Sequence, residues 1–167
     1  MKRFVIPLIL LILIGFQNSL FEYIKIFGVK PDIVLTFTIC FALIKGNPTG
    51  TIIGITGGIM EDIFFGGAFG VNSIACMITS FLVGSIEGKI YKDNIFIPAI
   101  FTFAGTIIKE LIVFLFLYLT RTNLDVITAL TNKVIPEAIY NTLLAALFFR
   151  YVAKLNNKIY AEQNWRF

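Results

Sequence analysis

Six long apolar blocks follow one another along this chain, separated by single charges and short turns, and that succession limits the fold more than any single motif. They run over residues 4–21, 31–44, 49–65, 69–86, 95–120 and 134–152. A helix crossing the hydrocarbon core of a bilayer needs about 20 largely apolar residues. The second block is short and the third is rich in glycine, but the series as a whole fits. Only 14% of the 167 residues are charged and 57% are hydrophobic, where soluble domains carry about 25% and about 45–50%. A chain this short cannot hide such a surplus in one soluble core. The expected fold is an all-α membrane protein, six transmembrane helices in one compact bundle (1–153), followed by a polar, amphipathic cytoplasmic tail over 154–167.

The basic start Lys2-Arg3 and the apolar stretch Phe4–Phe16 resemble a signal peptide, yet only Gly15-Phe-Gln-Asn-Ser19 follows, without an A-x-A-like cleavage site. A retained first helix is expected. Alternate sides of six spans then collect unequal basic charge. Lys2, Arg3, Lys45, Lys89, Lys92, Arg150, Lys154, Lys158 and Arg166 fall on one side, and Lys25, Lys30, Arg121 and Lys133 on the other. The richer side is cytoplasmic by the positive-inside rule, which puts both termini in the cytoplasm. The basic residues are dispersed between apolar blocks rather than gathered on one face, so nucleic acid is not an expected partner. Lipid is.

Gly50, Gly54, Gly58, Asp62, Gly66 and Gly70 recur every four residues, and the next block offers a matching row of Asn72, Cys76, Ser80, Gly84 and Gly88. Small residues at this spacing let two membrane helices approach closely. Spans three and four are therefore expected to pack as a tight hairpin, broken at Gly66-Gly67. Replacing Gly58 with Leu should disrupt the fold. Asp62 shares the ridge and should face protein, whereas Glu61, about 100° away on the helix, is expected to reach water.

Lys109 and Glu110 sit near the middle of the fifth block. Charges there are costly in lipid and usually point into the bundle and pair. Being adjacent, they should meet different partners. Asp32, Asp62 and Glu137 are all allowed partners for Lys109. The two readings are a polar clamp between helices and a ligand or proton pathway. Pro136 suits the first turn of the last span, and Asn141 can hydrogen-bond across helices. Histidine is absent, and Cys40 and Cys76 lie in apolar runs. No His–Cys metal site and no Ser–His or Cys–His nucleophile can be assembled. No enzyme activity, cofactor or metal is expected.

The run Gly54-Ile-Thr-Gly-Gly-Ile-Met-Glu-Asp-Ile-Phe-Phe-Gly-Gly-Ala-Phe-Gly-Val-Asn72 resembles the core signature of the MreD family of bacterial rod-shape-determining membrane proteins. There a glycine-rich helix ends in an aspartate, and a glycine-containing turn and a Gly-x-Asn opening the next helix follow; Asp62, Gly66, Gly70 and Asn72 fall on those positions. Pro31-Asp32-Ile33, Lys45-Gly46-Asn47-Pro48 and Pro136-Glu-Ala-Ile-Tyr140-Asn141 match the openings of the second helix, the turn before the third, and the last helix. The doubled acid Glu61-Asp62 departs from the many members that have a neutral residue beside the aspartate.

The resemblance implies a non-enzymatic scaffold of the cell-elongation machinery in the bacterial cytoplasmic membrane. Its implied partners are MreC, and in the wider complex MreB, RodA and a wall transpeptidase acting in peptidoglycan synthesis. It also implies a bundle similar to the substrate-binding subunits of energy-coupling-factor vitamin transporters, which makes such a subunit the rival reading. Those subunits usually carry Ala-x-x-x-Ala patterns in the first helix, and the first span here has no alanine. The tail, with Trp165, suits a lipid-surface anchor or a contact with MreB.

Overall fold

The computed structural model describes residues 5–19, 25, 28–65, 69–86, 96–120 and 130–160. They form six α-helices: α1 (Val5–Ser19), α2 (Ile33–Lys45), α3 (Thr49–Phe65), α4 (Val71–Gly84), α5 (Phe96–Leu119) and α6 (Ile135–Tyr160). A short π-helical turn, Leu130–Val134, leads into α6. The helices fall on the six apolar blocks. The last one runs past its block without a break, so the start of the expected tail is helical through Tyr160.

Among the described residues one helix, α5, is long and apolar enough to cross a membrane, with 24 residues and a mean hydropathy of 2.1. Helices α1, α2 and α4 are apolar but shorter. The shortness of α2 has a structural reason. Every residue from Ile33 to Ile44 is buried, and α1, α3, α4, α5 and α6 all pack against it. A helix that is apolar all round belongs in the middle of a bundle, and at about 1.5 Å per residue α2 is roughly 20 Å long. Around it, Leu8, Ile12, Ile63, Phe81, Ile100, Leu115, Leu143 and Leu147 are exposed on the outer helices. Apolar exposure on this scale suits a lipid surround rather than water.

The close approach of α3 and α4 rests on missing side chains. A Cβ at Gly58 would lie 2.5 Å from Ser73 Cα and 2.6 Å from the Asn72 carbonyl oxygen, and one at Gly54 would run into Ser80. The two rows expected from the sequence do meet there. The ridge is not single-sided, however. At Gly50 a Cβ would be 2.6 Å from Ala42 Cα of α2, and at Gly57 it would be 2.9 Å from Val34 of the same helix. Two sets of glycines about a quarter-turn apart thus fit α3 between α2 and α4. Gly84 does not meet the α3 ridge; a Cβ there would lie 2.5 Å from Asn47 Oδ1. Asn47 sits in the α2–α3 turn and donates to Phe81 O (3.0 Å) and Ser85 Oγ (2.9 Å), tying that turn to the end of α4. Gly66, Gly67 and Gly88 lie outside the described residues.

Candidate functional site

The N-terminus of α2 is buried, so its free N–H groups need acceptors from within the protein. All of them find one. Asp32 is the N-cap, and its Oδ1 accepts from Leu35 N at 2.8 Å. Gln17, at the end of α1, accepts from Ile33 N (3.0 Å) and Val34 N (3.3 Å). Asn141 of α6 accepts from Asp32 N at 2.7 Å and donates to Thr106 Oγ1 of α5 at 3.1 Å. Three other helices are thereby fastened to one buried helix end.

The second Asp32 oxygen carries the charge network. Lys109 Nζ, from α5, donates to Asp32 Oδ2 and to Glu61 Oε2, the latter at 2.9 Å. All three side chains are at most 6% exposed. Cys76 Sγ lies 3.9 Å from the same Glu61 oxygen. One lysine therefore joins α2, α3 and α5 through two carboxylates, with charge-assisted bonds on both sides. The expectation that Glu61 reaches water is corrected here, since the residue is 3% exposed. Its position near the end of α3 is level with Lys109, and the helical offset from Asp62 turns it inward toward α2 and α5.

Asp62 points the other way and caps α4. Its carboxylate accepts from Gly70 N (2.9 Å), Asn72 N (3.1 Å) and Ser73 N (3.1 Å), and from Ser73 Oγ. Gly70 is the N-cap residue at φ 97°, a conformation that favours glycine, and it offers no side chain of its own. The aspartate from the preceding helix takes over the capping role. Asp62, Gly70 and Asn72 are thus brought together as expected. Lys109 and Glu110 part company, also as expected. Glu110 is buried and accepts from Lys133 Nζ at 2.8 Å. Pro31 and Asn141 are buried, while Pro136 and Tyr140 are half-buried.

Gln17, Lys133 and Glu61 are the members that sequence reasoning missed. Gln17 stands out only as an uncharged polar residue closing an apolar block, and Lys133 reads as a loop charge. Glu61 was visible but assigned to water. The cluster borders an open cavity of about 140 Å³ lined by Gln17, Lys30, Pro31, Asp32, Glu61, Phe65, Asn72, Lys109 and Glu137. These residues come from the ends of α1 and α3, the starts of α2, α4 and α6, and the middle of α5. The cavity therefore lies at one end of the bundle.

The family model described as rod shape-determining protein MreD matches residues 1–159. This chain belongs to the MreD family. Comparison with curated proteins and with solved structures gave no match. MreD membership makes this a bacterial membrane protein that determines rod shape, from a family of structural proteins rather than enzymes. The clamp of Asp32, Glu61 and Lys109 and the Asp62 cap are architecture in keeping with that role.

Proposed function

We propose that this MreD-family chain is a non-enzymatic, multi-pass scaffold of the elongation machinery in the bacterial cytoplasmic membrane, coupling MreC and MreB to lateral peptidoglycan synthesis. The observation that carries the reading, beside the family match, is that most of the buried charges are met by an opposite charge. Lys109 binds Asp32 and Glu61, and Lys133 binds Glu110, which braces a rigid body rather than aligning reacting groups. Six spans with both termini in the cytoplasm agree with the uneven Lys and Arg count, and that orientation puts the cavity at the outer face. Because α2 is roughly 20 Å long in a hydrocarbon core of about 30 Å, its polar N-terminal end stands short of that face, under the cavity. Lipid-facing apolar strips and the outer loops are the surfaces left for MreC, RodA and the transpeptidase.

The rival reading is the substrate-binding subunit of an energy-coupling-factor vitamin transporter. It is weakened by the cavity, since about 140 Å³ is well under the roughly 300–1,000 Å³ of pockets for drug-sized ligands. Mild-detergent pulldown of the tagged protein from its native membrane, read by mass spectrometry, tests the choice. Recovery of MreC and the wall synthases is expected. Recovery of a transporter's ATPase and coupling subunits would overturn the scaffold reading.

A further inference from the structure

The cavity wall contains a carboxylate that the clamp does not use. Glu137, in the first turn of α6, is 5% exposed and lines the cavity. It has no hydrogen-bond or ion-pair partner among the described residues. The cations that act on it, Lys133 and Lys109, are in contact with Glu110 and with Asp32 and Glu61. A buried ionised carboxylate without a partner is strongly disfavoured. Glu137 nevertheless stands beside a polar space that can admit one.

We propose that this cavity binds the ammonium group of a small amine, with Glu137 as its counter-ion. Three observations select that chemistry. An ammonium is a pure donor with three N–H groups, and the ionised Glu137 carboxylate on the cavity wall is a pure acceptor. Among the described residues no group of three or more His, Cys, Asp or Glu side chains is arranged to hold a metal ion. The cavity is small, about 140 Å³, which suits a small amine rather than a bulky one. Lys30 also lines the cavity, its Nζ 4.6 Å from the Phe65 ring centre. A phosphoethanolamine lipid headgroup and a free ethanolamine share this chemistry.

The full-length protein, purified in a maltoside detergent, is titrated with ethanolamine while thermal unfolding is followed. In parallel it is placed in phosphatidylglycerol nanodiscs with and without phosphatidylethanolamine. A saturable rise in Tm is expected with at least one of them. Response to ethanolamine identifies a soluble amine as sufficient, and response to phosphatidylethanolamine alone identifies the lipid. The Glu137→Gln variant should weaken the response about tenfold or more, the size of a lost hydrogen bond to a charged group. Without ligand it should unfold no earlier than the native chain, because the amide carries no unpaired charge. N-acetylethanolamine, which keeps the skeleton and loses the charge, should leave Tm unchanged in the native chain. No saturable shift with either probe, an equal shift with the acetylated compound, or a full response in the Glu137→Gln variant would each overturn the proposal. The scaffold reading is tested separately by co-purification and survives any of these results.

Discussion

Lys109→Met removes the single cation shared by Asp32 and Glu61 while keeping most of the side-chain volume. At an effective dielectric constant of about 20, a 2.9 Å contact like that to Glu61 corresponds to roughly 6 kcal/mol of gross attraction. Most of that offsets the cost of taking the charges out of water. The loss on breaking such a buried pair is therefore set by the carboxylates left behind, about 3–5 kcal/mol. For a chain of this size that lowers Tm by about 6–20 °C, read by circular dichroism in detergent and by accumulation in the membrane. The decisive comparison is the triple variant Asp32→Asn, Glu61→Gln, Lys109→Met. Asparagine retains the N-cap bond to Leu35 N and neither amide needs a counter-ion, so at least half of the lost stability should return. If Lys109→Met alone lies within about 0.5 kcal/mol of the native protein, below any buried-pair loss, the clamp is not structural. If the triple variant is no more stable than the single one, uncompensated charge is not the cause.

Gly58→Ala should cost about 1–3 kcal/mol, because its methyl group meets the α4 backbone rather than a movable side chain; thermal unfolding measures it. Gly15→Ala is the matched control in α1, where a Cβ meets nothing within 4 Å, and it should gain about 0.5–1 kcal/mol from helix propensity. Asp62→Ala frees three capped N–H groups and should cost about 2 kcal/mol, the upper end for a helix cap, with hydrogen exchange accelerated at Asn72 and Ser73. Thr79→Val removes a buried hydroxyl that lacks a hydrogen-bond partner, so stability should hold or rise by about 1 kcal/mol; a loss larger than that would mean the hydroxyl is bonded after all.

Features with a local period were legible in the sequence. Gly54 and Gly58 on one helix, with Cys76 and Ser80 on the next, announced a close contact through their four-residue spacing, and Asp62 with Gly70 and Asn72 announced the turn. Which neighbour a given small residue meets was not legible. Gly50 belongs to the same row yet packs on Ala42 of α2, because α3 lies between two helices and a period of four drifts around a helix of 3.6 residues per turn. The partners of Lys109 were only bounded. Asp32 was among the three allowed, while Glu61 was passed over because its burial depends on how deep α3 sits against α2 and α5, a tertiary quantity. Gln17 had no signal of its own, since its acceptors' role arises only when α2 begins inside the bundle.

That buried beginning accounts for the rest of the site. A central helix shorter than its neighbours leaves its N-terminal N–H groups inside the protein, where water cannot satisfy them. Asp32, Gln17 and Asn141 supply the acceptors. The positive end of the helix dipole and the cap both favour an ionised aspartate there, and a second carboxylate, Glu61, lies within reach. Two buried acids require a cation, and Lys109 meets both from the middle of α5. Its placement deep in a mostly apolar helix follows from the level at which α2 starts, and Glu137 faces the space left above that end. The clamp and the cavity are thus two consequences of one choice in the fold, the burial of a short helix.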